Sequence, residues 1–225
     1  LFGSIDPTRP HHLDMAAAWH GRLMVAAWSF LFPIGILAAR FFKIRPGQDW
    51  PRKLDTRLWW NTHLVAQYTG TVLLLAALFL AWLSEDYGSL WHKALGYGTV
   101  ALAIAQVIAA WTRGSKGGPG EPSLYGDHYD MTRRRRIFEY WHKFMGYLAI
   151  LVALAAMLSG LWLVNAYRWM VLGLVAWWCV LALAFIVLQR RGMAVDTYQA
   201  IWGPGREHPG NRMKPIGWGV KRPEV

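Results

Sequence analysis

The seven-residue pattern Trp-His-Lys-x-x-Gly-Tyr occurs twice, fifty residues apart, as Trp91-His92-Lys93-Ala94-Leu95-Gly96-Tyr97 and Trp141-His142-Lys143-Phe144-Met145-Gly146-Tyr147. Each copy opens a long apolar run. A histidine just inside an apolar helix is costly unless it has a partner. A glycine four residues later lies on the same helical face, one turn away. Together they supply a metal ligand and a gap beside it, which is what a flat macrocycle requires. Haem is therefore the first chemistry to consider, against the plainer reading of a hydrogen-bonded core histidine and a glycine at a helix contact.

His20 and His63 sit at comparable places in two other apolar segments. Four histidines, each near the start of a different helix, are harder to explain as separate core residues than one would be. His11, His12, His128 and His208 lie in polar segments, where solvated roles are expected. The single cysteine, Cys179, excludes an internal disulfide, a cysteine-rich zinc site, an iron–sulfur cluster and C-x-x-C-H haem attachment. Four histidines at two depths would not converge on one zinc ion. No carboxylate lies in the apolar interior, which argues against di-iron chemistry and a carboxylate proton relay.

The elements that must position these residues follow from charge and hydropathy. Of 225 residues, 55% are hydrophobic and 16% charged, well below the quarter or so typical of soluble domains. Uncharged runs cover 23–39, 58–84, 94–112, 144–167 and 169–189. A helix needs about 20 apolar residues to span the hydrocarbon. The sequence thus predicts an all-α integral membrane fold with five helices, near 15–42, 57–83, 90–112, 137–164 and 168–189. The first four form the ligand-bearing bundle, and the chain turns near Asn165–Trp169. Residues 1–14 form an outer-side segment, 15–189 the membrane domain, and 190–225 an irregular tail packing on the cytoplasmic face or on a partner. No signal peptide is evident.

The net charge of +11 does not indicate nucleic acid, because the basic residues concentrate in the 40–57 and 113–136 loops and the tail. The 84–90 loop carries Glu85 and Asp86 and no Lys or Arg. The positive-inside rule places the N-terminus outside and the C-terminus in the cytoplasm, in a membrane expected to be bacterial. Tryptophans near helix ends fit an interfacial belt, and the Arg133–Arg136 run fits anionic lipid.

Depth then sets the pairing. His20 and His92 enter from the outside and share the outer level; His63 and His142, each six residues after an arginine, share the inner one. Two bis-histidine haem b groups, one near each face, are expected. Two strong axial ligands leave no open position for oxygen, which suits electron transfer.

Around these, Gly96 and Gly146 make room for porphyrin or for a helix contact. Lys93 and Lys143 pair with haem propionates or reach to the interface. Arg22 is a further propionate partner. Gln67 and Gln106 hydrogen-bond across helices or to a haem edge. Lys53 and Arg57, near the inner level, attract an anionic donor or serve only as topogenic charge.

The ordered set His20-Gly-Arg-Leu-Met-Val-Ala-Ala-Trp28, Pro33-x-Gly35, Ala39-Arg40, Trp59-Trp-Asn-Thr-His63-x-x-x-Gln67, His92 through Gly96 to Gln106, Tyr140-Trp-His142-x-x-x-Gly146-Tyr147 and Ser159-Gly160-Leu161 resembles the cytochrome b561 family, especially its DOMON-associated branch, over about residues 15–165. The resemblance implies a four-helix core with two haem b groups that moves electrons from cytoplasmic ascorbate to an acceptor on the far side. It implies the same alternating histidine pairing. The chain departs from the family in lacking the helix before the core and a DOMON domain, and in carrying His142-Lys143 where many members have two histidines. A quinol or a redox protein is an equal candidate donor, and a quinone-linked subunit of a larger membrane complex, or a homodimer, is the alternative assembly. A third reading is a membrane subunit without haem, whose histidines hydrogen-bond between helices.

Overall fold

The structure, a computed structural model, describes residues 1–223. Five helices are long and apolar enough to cross a membrane: α1 (Met15–Phe41), α2 (Leu58–Leu83), α3 (Leu90–Trp111), α4 (Arg133–Leu163) and α5 (Arg168–Arg190). A short helix, α6 (Thr197–Trp202), and a 3₁₀ turn at Pro209–Arg212 follow. Among the described residues there is no β-strand, only two isolated bridges.

The helix starts are capped by side chains. Asp14 accepts from the Ala17 amide at 2.7 Å, Ser89 from His92 at 3.2 Å and Thr132 from Arg135 at 3.3 Å. First-turn amides have no partner within the helix, and an apolar environment makes an unpaired amide expensive. The Thr132 cap starts α4 at Arg133, a turn earlier than the hydropathy pattern suggests, so the arginine run is helical.

The first four helices pack as two hairpins, α1 on α2 and α3 on α4, with few close backbone approaches between the hairpins. Their shared core sets the small residues Ala27, Ala103, Ala149 and Ala153 beside larger ones such as Trp28, Leu74 and Met157. Small side chains let helix backbones approach where no water drives them together. Gly70 is one such place: a Cβ there would stand 2.7 Å from the Phe32 ring. Helix α5 lies outside the bundle, with Leu174 its one buried residue.

The turn between α4 and α5 is fixed by Asn165, which adopts a left-handed conformation (φ 48°). Its side chain accepts from the Asp6 amide at 2.9 Å and donates to the carbonyls of Asp6 at 2.9 Å and Arg9 at 2.7 Å. The N-terminal segment is thereby tied to the α4–α5 turn, at the face where α1 begins.

At the opposite face the tail is more ordered than its Gly- and Pro-rich composition suggests. Asp196 caps α6, accepting from the Tyr198 amide at 3.3 Å, and pairs with Arg222 at 2.8 Å. Arg222 also donates to the carbonyls of Asn211 and Gly210 at 2.7 and 2.8 Å. Cations of the bundle hold this cap down. Lys43 Nζ donates to Val195 O at 2.8 Å, Arg40 Nη2 to Trp218 O at 2.6 Å and Lys143 Nζ to Ile216 O at 2.8 Å.

Candidate functional site

The four helical histidines meet in two pairs, each bridging the two hairpins. The His20 and His92 rings stand 6.2 Å apart centre to centre at 88°, and the His63 and His142 rings 6.3 Å apart at 79°. An imidazole nitrogen lies about 1 Å from its ring centre and binds a first-row metal at about 2.0–2.1 Å. One ion held between two rings therefore needs centres about 6 Å apart.

Three of the rings have their tautomer set by backbone carbonyls. His20 Nδ1 donates to Ala77 O at 2.8 Å and His63 Nδ1 to Gly35 O at 3.1 Å. His92 Nδ1 faces Ala156 O at 3.2 Å and Ser159 Oγ at 3.1 Å. A carbonyl only accepts, so the proton sits on Nδ1 and Nε2 is left with a free lone pair. That is the outer-shell arrangement by which metal-binding histidines are oriented. His142 differs: its Nδ1 is buried without a partner.

These carbonyls mark two levels on α1, α2 and α4, and the Gln106 side chain marks the second level on α3. From His63 to Ala77 is 14 residues on α2, and from His142 to Ala156 is 14 on α4. From His92 to Gln106, which donates to His142 O at 3.2 Å, is 14 on α3. At 1.5 Å per residue the levels lie about 21 Å apart. On α1 the interval from His20 to Gly35 is 15.

A cavity of about 500 Å³ opens around the His63–His142 pair. Its deep walls include Trp28, Phe32, Ala103 and Ala149, and its mouth carries Arg57, Arg113 and Lys116 beside Asp55 and Glu121, which pair with Arg57 and Lys116. Five buried polar atoms on its lining lack partners: Trp28 Nε1, Arg40 Nε, Trp59 Nε1, Gln106 Oε1 and His142 Nδ1. Apolar depth, an excess of basic over acidic side chains in the lining and unspent polar atoms suit a large flat ligand with acidic edges. Gly146 borders this space, and a Cβ on it would meet only Gln106 Nε2, at 3.9 Å. A Cβ on Gly96, in the other copy of the motif, would meet nothing within 4 Å. Neither motif glycine serves a close helix contact. The residues around the His63–His142 pair thus fit a haem, and the His20–His92 pair shares its ring separation and an open glycine.

The other residues singled out from the sequence are placed as follows. Lys93 Nζ pairs with both Asp86 oxygens at 2.8 Å, and Lys143 Nζ with Glu139 Oε2 at 2.7 Å. Arg22 is exposed, with its guanidinium 5.0 Å from the Trp19 ring centre. Gln67 Nε2 donates to Phe32 O at 3.2 Å and packs against Gly35. Arg57 lines the cavity mouth, 3.9 Å from Asp55; Lys53 is exposed and is not among the lining residues.

Sequence reasoning missed a buried polar cluster beside His142. Glu139, at 6% exposure, binds Arg135 Nε at 3.1 Å and Lys143 Nζ at 2.7 Å, with His128 Nε2 3.7 Å away. The carboxylate-free interior therefore ends one turn before His142. The spacing Arg135-x-x-x-Glu139-x-x-x-Lys143 puts all three on one helical face and was the available signal. His128, expected in a solvated loop, is buried with its ring 4.8 Å from that of Trp202. Burial and the nearby Arg135 charge push its pKa down to about 3. Burial likewise pushes the Lys43 ammonium down to about 7.

No family model matches the chain, and no solved structure matches it significantly. Curated proteins do. The cytochrome b561, DM13 and DOMON domain-containing protein of Arabidopsis thaliana is 29% identical over 184 residues, 77% of this chain and 18% of that protein. Human ferric-chelate reductase 1 is 32% identical over 167 residues, 70% of this chain and 26% of that one. The putative ferric-chelate reductase 1 homologue of Drosophila melanogaster is 29% identical over 185 residues, 80% of this chain and 26% of that protein. The chain thus spans about a quarter or less of the length of these relatives, all of them eukaryotic. With five apolar helices and the ordered histidine, glycine and glutamine motifs, these matches place the chain's membrane core in the cytochrome b561 family.

Proposed function

We propose that the chain is a transmembrane electron carrier that holds two haem b groups, one between His20 and His92 and one between His63 and His142. The observation that carries this reading is the pairing of four histidines from four helices at two levels, at ring separations of 6.2 and 6.3 Å. The relatives' printed names, cytochrome b561 and ferric-chelate reductase, point to the same chemistry.

Bound there, haem iron supplies one-electron oxidation and reduction. The chain's own residues do the rest. Nδ1–carbonyl bonds fix the orientation of three imidazoles, the Ala- and Leu-rich core keeps water out, and Gly96 and Gly146 leave room beside the ligands. With both histidines of a pair engaged, a bound haem would offer oxygen no open position. Residues 15–189 form the redox unit, and the tail from residue 190 caps one face. The basic loops put the His63–His142 level and the cap on the cytoplasmic side, with the N-terminus outside.

The cavity lining carries seven Lys and Arg side chains against three carboxylates, and this excess favours an anionic reductant such as ascorbate over a neutral quinol. An acceptor at the His20–His92 face would be met beside the acidic 84–90 loop, and the relatives' names make a ferric chelate one candidate. The reading is tested by a reduced-minus-oxidised spectrum and haem count on the purified chain. Two b-type haems per chain are expected, and one or none would overturn it. Rapid mixing with ascorbate or a quinol, at low and high salt, identifies the donor, since reduction by an anion should slow as salt screens the mouth.

A further inference from the structure

Helix α1 is not a regular α-helix. Residues Ala26–Leu31 form a π segment in which the Phe32 amide reaches back five residues to Ala27 O. The sequence supplies the cause. Ser29 O would normally accept from the amide four residues on, but that residue is Pro33, which has no N–H and whose ring crowds the same carbonyl. The helix opens by one residue instead. The orphaned Ser29 carbonyl is bonded from outside the bundle by Trp177 Nε1 of α5 at 2.7 Å, and Trp178 Nε1 reaches Ser29 Oγ at 3.3 Å. Ser29 is fully buried, and the Trp177 ring stacks on Phe30 at 4.9 Å.

This opening coincides with an anomaly in register. On α2 and α4 the histidine and the carbonyl that orients a histidine at the other level are 14 residues apart, and on α1 they are 15 apart. At about 100° per residue, 14 residues close nearly four turns, and a fifteenth in a regular helix would rotate one end by about 100° against the other. A π turn absorbs one residue without that rotation. His20 and the Gly35 carbonyl that orients His63 can then both face the bundle interior.

We infer that Pro33, Ser29 and Trp177 are positioning residues for both histidine pairs, and that α5 serves the redox core by clasping the π turn. The inference rests on the two-haem reading above and adds to it a device in the scaffold. It assigns a task to a helix that carries no ligand and buries little of itself.

The test uses the full chain and reads haem content together with the low-spin ferric resonance spectrum, which responds to the relative orientation of axial imidazoles. Pro33→Ala returns a donor to Ser29 O, favours a regular helix and should cost one haem or shift the spectrum. Deleting Ala26 in the Pro33→Ala background restores a 14-residue interval, and should recover two haems and the parent spectrum. Trp177→Phe, which keeps a ring but removes the donor, should shift the spectrum in the same direction as Pro33→Ala. A parent-like spectrum in Pro33→Ala, or no recovery on deleting Ala26, would sink the inference. Absence of haem from the unmodified chain would instead overturn the two-haem reading.

Discussion

Gly160 of α4 and His92 of α3 stand against each other so closely that a Cβ on Gly160 would lie 2.9 Å from His92 Cε1. Ser159, the preceding residue, and Ala156, one turn earlier, hold the same ring through its Nδ1. One helical turn of α4 thus supplies both the gap into which the His92 imidazole fits and the acceptors that aim it. Gly160→Ala should displace the ring and lower occupancy at the His20–His92 level by half or more, leaving the His63–His142 level unchanged. Haem content and difference spectra check this; equal loss at both levels would show that the residue serves the bundle generally.

His92→Ala separates the pairing itself from general packing. The His20–His92 haem should be lost and the other retained. Selective loss at the His63–His142 level would mean that the pairs are assigned wrongly.

The motif glycines make the opposite kind of prediction to Gly160. Gly96 faces open space, so Gly96→Leu should fold with helix content unchanged while excluding one haem. Gly146→Leu should do the same at the other level, where only the Gln106 side chain is near. If either glycine instead made a helix contact, the leucine variant would lose thermal stability before it lost cofactor. Circular dichroism and haem content measured on the same sample distinguish the two.

Glu139 pairs with both Arg135 and Lys143 next to His142. Removing one partner of a buried ion pair typically costs about 3–5 kcal/mol, because the remaining charge stays buried and unpaired. Glu139→Leu should therefore lower the unfolding midpoint strongly. Glu139→Gln, which keeps the shape and an acceptor, should cost less. Similar midpoints for the two variants would mean that the carboxylate charge contributes little.

The cap should loosen in acid. Lys43 has a folded pKa near 7 against an ordinary value of 10.5, and His128 one near 3 against 6.5, both depressed by burial. Over each interval the unfolded chain binds the extra proton, so stability rises with pH from about 7 to 10.5 for Lys43 and from about 3 to 6.5 for His128. Hydrogen exchange across residues 192–222 should slow, relative to intrinsic rates, as pH is raised through these windows. Protection that falls with rising pH would contradict the assignment.

Much of this molecule was legible as sequence because the membrane restricts the available structures. Backbone groups with no water to bond must be helical, and a span needs a set number of apolar residues, so five uncharged runs gave five helices within a turn of their observed ends. The histidine levels followed from counting residues between charged edges and His20, His63, His92 and His142, since depth in a helix is proportional to residue number.

What the sequence did not yield depends on lateral packing, for which hydropathy has no term. The buried Arg135–Glu139–Lys143 face was hidden because charges at a helix start look like interfacial residues until a neighbour covers them. The order of the tail depends on long-range bonds such as Arg222 to Asp196 and Lys43 to Val195. Pro33 stands inside the first predicted helix, but only the tertiary structure decided that the helix opens into a π turn there, that Trp177 completes it, and that it takes up the one residue by which α1 differs from its partners. Residue spacing along each helix determined the levels, and contact between helices decided what each level holds in place.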